Sequence, residues 1–198
     1  MRFFKENSGL IVKLFINQIG IAIFAFMLYT AAGSFEISDS SAALFVKVLL
    51  SAFSMLFYFT LLYNIMWEIG GKDKIRIDSG RLERKASKGL IVGLFANALN
   101  IIVIGIALLL LVLNMITGLD FLMSIFAVLN AIFRIFVSMY LGVIIGISAF
   151  AQQNTETYYL IQTAGFLVFS FISALVIHFS YLMGLNDKRI FSSFKKEK

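Results

Sequence analysis

The chain has 198 residues, 60% of them hydrophobic and 14% charged, with a formal net charge of +6 and a mean hydropathy of +0.92. A soluble domain runs nearer to about 45–50% apolar and about 25% charged. The excess sits in long blocks such as 89–118, which carries no charged side chain; this excludes an ordinary soluble enzyme, a secreted disulfide scaffold and a disordered chain, and points to an integral membrane protein.

Crossing a bilayer takes about 20 predominantly apolar residues. Five segments qualify, at 9–33, 41–69, 89–115, 121–150 and 157–184. They are continuous and too long for the alternating strands of a membrane barrel, so the expected fold is an all-α, polytopic bundle forming one transmembrane domain. The first holds Lys13, Asn17 and Gln18, with Arg2 and Lys5 ahead of it. These interruptions favour a retained span over a cleaved signal peptide. The second holds Lys47 near one end and Glu68 near the other, and the third is the cleanest. The fourth carries Arg134 near its middle, and the fifth carries His178 in its last third. There is no proline to kink any of them.

The connections differ in charge. Segment 33–39 holds Glu36 and Asp39. Segment 70–88 is the only long loop, with Lys72, Lys74, Arg76, Arg81, Arg84, Lys85 and Lys88 against Asp73, Asp78 and Glu83. Segment 151–155 is polar and nearly uncharged, and the 185–198 tail is basic again. Lys and Arg mark the cytoplasmic side, so loop 70–88 and the N-terminus are expected there. Three further crossings then leave the basic tail on the wrong side. Either the tail breaks the rule, or 121–150 is itself broken near Asn130 to Arg134 and six crossings result.

A few residues are expensive in a bilayer. Arg134 at mid-span must face an interior or a wet cavity. Asn130, Arg134, Ser138, Gly142 and Gly146 recur every four residues, and Ser138, Gly142 and Gly146 make a small-residue ridge suited to close helix packing. Arg134 reads either as an anion contact or as a structural group bonded to another helix. Thr60, Asn64 and Glu68 form a second stripe, with Glu68 beside Trp67 at an interface. Glu68 suits a head-group or ion-pair role, the alternative being a coupling carboxylate. Asn97 and Asn100 share a face of the third span above Gly93 and Gly89. They read as interhelical glue or as part of a polar pocket with Arg134 and Asn130. His178 reads as a hydrogen-bonded interfacial residue, with a proton relay as the sharper alternative.

Cysteine is absent and His178 is the single histidine, so no metal site of Cys or multiple His is expected. No cofactor is implied, and no motif of a nucleophile, phosphate loop or paired carboxylate appears, so the chain reads as non-enzymatic. Tyr63, Trp67, Tyr158 and Tyr159 suit an interfacial aromatic belt. Phe3-Phe4 beside Arg2 and Lys5, and Phe191 and Phe194 among lysines, suit anchoring on anionic lipid rather than nucleic acid.

The run Leu62 to Asp73, continued by Gly80-Arg81, Lys88-Gly89-Leu90 and Gly93-Leu94, and the later Tyr181-Leu182-Met183-Gly184-Leu185, resemble an uncharacterised group of small polytopic membrane proteins of low-GC Gram-positive bacteria. The resemblance covers about a third of the chain. It implies a bacterial cytoplasmic membrane and no known activity.

Three functions fit these features. The first is an accessory subunit of a larger membrane assembly, such as an exporter component or an immunity protein. The second is a small-solute transporter or substrate-binding membrane component built around Arg134. The third is an oligomeric channel.

Overall fold

In the computed structural model, residues 2–34, 40–151 and 155–189 are described. Glu36, Asp39, Phe191, Phe194, Lys195, Lys196 and Lys198 lie outside these. The expected all-α bundle is what forms. Its helices are α1 (Arg2–Ser34), α2 (Ser40–Asp78), α3 (Lys88–Ala96), α4 (Ala98–Thr117), α5 (Asp120–Phe136), α6 (Leu141–Ser148) and α7 (Glu156–Leu185), with a 3-10 turn at Ser138–Tyr140 between α5 and α6.

Four of the helices, α1, α2, α4 and α7, are long and apolar enough to cross a membrane, and α5 with the residues after it makes a bent fifth candidate. Their outer surfaces carry the bulk expected of lipid contact: Phe45, Phe53, Ile102, Leu109, Phe121 and Phe179 are all exposed. Apolar burial inside a bilayer gains little from water exclusion, so cohesion rests on close packing. Glycine supplies it. On α2 the face of Gly70 lies against the Tyr181 carbonyl and Gly184, and Gly184 in turn lies against the Trp67 carbonyl. On α3, Gly89 faces the Tyr181 and His178 backbone region and Gly93 faces Ala174. Helix α7 is thus the axis of the bundle, held by backbone-close contacts from α2 and α3.

Three expectations change. First, α2 runs past Ile69 to Asp78, so half of the supposed long loop is helix. Gly70 serves packing there, not termination. Second, the third span is interrupted at Asn97 (φ −97°, ψ 2°). The Asn97 Nδ2 donates to the Gly93 carbonyl at 3.0 Å, alongside the Asn97 backbone N–H at 3.1 Å, a local competition that loosens helices.

Third, the 121–150 segment does break, but at Val137 and not within Asn130 to Arg134, and the two pieces meet at 84°. It does not add a crossing. Helix α6 is about 12 Å long at 1.5 Å per residue, against about 30 Å of hydrocarbon. Its contacts show where the chain goes. Descending α5 pairs Phe126 with Tyr159 and then Phe133 with Phe166, running alongside α7. At the tip, Ser138 meets Ala22 of α1, and Met139 meets Ser51 of α2. Helix α6 then returns through Gly142 at Lys47 and Gly146 at Val48 to Ser148, which accepts from Gln162. Ala22, Ser51 and Phe166 stand about 15–18 Å from the nearer ends of their helices, so the chain enters about halfway and comes back. The α5–α6 pair is re-entrant.

This resolves the charge conflict. The long apolar helices α1, α2, α4 and α7 are then the crossing candidates. Both ends of the re-entrant pair stay at one end of the bundle, and the start of α1, the 79–87 loop and the end of α7 meet at the other. The contacts there are direct: Trp67 Nε1 donates to the Lys188 carbonyl at 2.8 Å, Arg84 Nη2 donates to Asn186 Oδ1 at 3.0 Å, and Arg189 lies 4.3 Å over the Trp67 ring.

Candidate functional site

Two polar sites emerge, one at the re-entrant tip and one at the basic end. At the tip, backbone leaves helical geometry at membrane depth, which is tolerated only where protein satisfies its polar groups. Ser51 does this twice. Its Oγ donates to the Met139 carbonyl at 2.8 Å and accepts from the Gly142 N–H at 3.1 Å. Ser138 Oγ donates to the Ala22 carbonyl at 2.5 Å. The Tyr140 hydroxyl meets Ser173 Oγ at 2.6 Å, and its ring stacks on Phe169 with centroids 5.1 Å apart. All of 137–142 is buried.

Arg134 sits one turn above this tip. Its Nη2 donates to Gln162 Oε1, and Gln162 Nε2 donates to Ser148 Oγ at 3.1 Å. The guanidinium therefore ties α5 to α7 and, through Gln162, to returning α6. Its Nε is buried without a partner. Tyr29 lies within electrostatic reach of the guanidinium, and Lys47 Nζ lies 5.5 Å from the Tyr29 ring centre.

The sequence-nominated residues divide. Asn130 is half-buried on α5, one turn from Arg134. Asn97 and Asn100 are buried at the α3–α4 break and make no hydrogen bond to Arg134. Asn97 Oδ1 and Asn100 Nδ2 are unpartnered. The neighbouring Gly93 meets α7 at Ala174, about 18 Å along that helix from Gln162. The expected single pocket of Arg134, Asn130, Asn97 and Asn100 is not assembled. Gly142 and Gly146 do serve close packing, against Lys47, Ser51 and Val48 of α2. Ser138 is off that ridge, because the bend at Val137 turns it toward α1. Glu68 is exposed and pairs with Lys72 at 2.5 Å. His178 is half-buried with Nδ1 unpartnered, its Cα against Gly89. Among the described residues no group of three or more His, Asp or Glu side chains could hold a metal.

At the basic end Asp73 is the residue that sequence reasoning missed. It reads there as one loop charge among many. In the fold its Oδ2 accepts from Lys88 Nζ at 2.6 Å and from the Tyr181 hydroxyl at 2.9 Å. This one carboxylate ties α2, α3 and α7 together where their glycine contacts begin. Its spacing from Gly70, three residues on the same helical face, is the only signal that hinted at burial. The tie floors a cavity of about 720 Å³ lined by Phe3, Glu6, Asn7, Arg76, Arg81, Leu82, Glu83 and Lys85 together with Asp73, Lys88 and Tyr181.

The fold and these sites define a polytopic all-helical membrane protein with a re-entrant helix pair. The chain matches no protein-family model, no curated protein and no solved structure.

Proposed function

We propose that the chain is a non-enzymatic accessory subunit of a larger membrane assembly, resident in a bacterial cytoplasmic membrane, that presents its basic end to partners on the cytoplasmic side. One observation carries this reading: every basic segment that the structure describes converges on a single end. The start of α1, the end of α2, the 79–87 loop and the end of α7 form one cationic platform. Arg76, Arg81 and Lys85 on it make no ion pair among the described residues. Cationic ends of this kind follow the positive-inside rule. Unpaired surface cations favour recognition of acidic partners through rate and specificity. The resemblance of its Gly and aromatic placements to the Gram-positive group supports the bacterial assignment.

The test is purification of the tagged protein from its native membrane in mild detergent, with the stoichiometry of co-purifying chains read by mass. A stoichiometric partner lost on Arg76→Ser with Lys85→Ser supports the proposal. A single species that runs alone as a monomer overturns it. A second reading, a small-solute carrier, draws on one observation: two interrupted helices meet α7 near mid-depth, at Gly93 against Ala174 and at Tyr140 against Ser173, as broken helices do in transporters. An Arg134→Ala protein that folds and supports wild-type solute flux removes it.

A further inference from the structure

The cavity at the basic end has a shape and an apolar side that the partner reading does not use. Its volume falls in the range of small-molecule sites, about 300–1,000 Å³. Its charged lining is Arg76, Arg81, Lys85 and Lys88 against Glu6, Asp73 and Glu83. Asp73 engages Lys88, which leaves two guanidinium groups and one ammonium facing two carboxylates. Arg76 lies in the last turn of α2, and Arg81 and Lys85 come from the loop that follows. These groups stand at the depth where α2 leaves the apolar part of the bundle, and so at head-group level.

The cavity also has an apolar exit. Phe3 lines it, and Phe4 meets Phe3 edge-on with centroids 5.8 Å apart. Phe4 in turn meets Phe95 of α3 edge-on at 4.5 Å. Phe4 is 43% exposed and Phe95 47% exposed, both on the outer surface. A continuous aromatic track therefore leads from a cationic cavity to the lipid-facing side of α1 and α3. A water-soluble anion has no use for that track. An amphiphile does.

We infer that this cavity binds the phosphate head group of an anionic phospholipid, with Arg76 and Arg81 on the phosphate, Lys85 at the rim, and an acyl chain lying over Phe4 and Phe95. Charge-assisted hydrogen bonds from guanidinium to phosphate supply the polar contact. Basic pockets between membrane helices on the cytoplasmic side are known to take such head groups. Lys88, held by Asp73 and lying 5.8 Å from the Tyr181 ring centre, keeps the floor in place and is not a ligand. The site shares Arg76, Arg81 and Lys85 with the proposed partner surface, and lipid retention by the purified chain, with no partner present, separates the two readings.

The experiment uses the purified full chain in nanodiscs of phosphatidylcholine alone or with phosphatidylglycerol. Lipid retained after transfer to neutral detergent is counted by native mass spectrometry, and stability is followed through Trp67, the single tryptophan. Wild type and Lys72→Gln, whose exposed ammonium lies outside the cavity, should retain phosphatidylglycerol selectively. Arg76→Gln with Arg81→Gln should weaken that binding by about thirtyfold. Arg81→Gln alone, in the exposed loop, guards against a folding defect. Phe4→Ser should lower retention without changing the response to inorganic phosphate. Equal retention by wild type and the double variant overturns the inference, as does full protection by inorganic phosphate with no preference for the anionic lipid.

Discussion

Replacing Asp73 by Asn isolates the tie at the basic end. The Asp73 side chain is 4% exposed and that of Lys88 17% exposed, so the pair is screened far less than a surface ion pair. Removing one member of a fully buried pair costs about 3–5 kcal/mol, because the other charge is left unpaired. Lys88 has partial access to water through the cavity, and the amide oxygen can still accept from Tyr181. The expected loss is therefore smaller, about 2 kcal/mol. For a chain of this size that lowers the unfolding midpoint by about 4–8 °C. Trp67 fluorescence in mild detergent reads it, because Trp67 donates to the Lys188 carbonyl beside the α2–α7 contact. Glu68→Gln is the control: its partner Lys72 sits at the same end of α2, but the two side chains are 60% and 61% exposed, and the midpoint should not move. In a cycle with Lys88→Gln the combined loss should fall short of the sum by about 1 kcal/mol or more. An Asp73→Asn midpoint that matches the Glu68→Gln control would refute the buried tie.

Gly184→Ala places a methyl against the Trp67 carbonyl and within 3.0 Å of Gly70 Cα. Both obstacles are backbone, so α2 and α7 must separate, at about 1–3 kcal/mol; Gly71→Ala, open on that face, should leave the midpoint in place. Ser51→Ala strips the re-entrant tip of one donor and one acceptor, leaving the Gly142 N–H unpaired at membrane depth. A loss of about 1–3 kcal/mol is expected, read as a lower thermal midpoint, and a wild-type midpoint would mean that the tip is held by other groups.

The ends of two apolar segments were legible because hydropathy is a property of the segment itself. The fifth apolar segment, 157–184, is α7 to within a residue at each end, and the third, 89–115, becomes Lys88–Ala96 with Ala98–Thr117. The break at Val137 was not legible. No glycine or proline marks it, and its polar groups are satisfied from Ser51, about 90 positions away in the chain, and by the Tyr140–Ser173 contact. The same long-range dependence hid Asp73, whose role needs Lys88 and Tyr181 beside it. Arg134 stands out in the sequence as a costly residue, but its partner Gln162 reads there as one polar residue near a helix start. Gly70, Asp73, Lys88, Gly89, Gly93, Tyr181 and Gly184, in contrast, cluster within segments 62–94 and 181–185 of the sequence. In the fold these are the close contacts among α2, α3 and α7.

The re-entrant α5–α6 pair decides the topology, and the chain's lack of cysteine allows a background-free test. Single cysteines at Leu82, Leu119, Ala151 and Asp187 would be labelled in sealed, oriented vesicles with a membrane-impermeant maleimide. With a re-entrant pair, positions 82 and 187 react from one side, and 119 and 151 both react from the other. Labelling of 82 and 187 from opposite sides, or of 119 and 151 from opposite sides, would mean that 121–150 crosses the membrane, and would contradict the fold described.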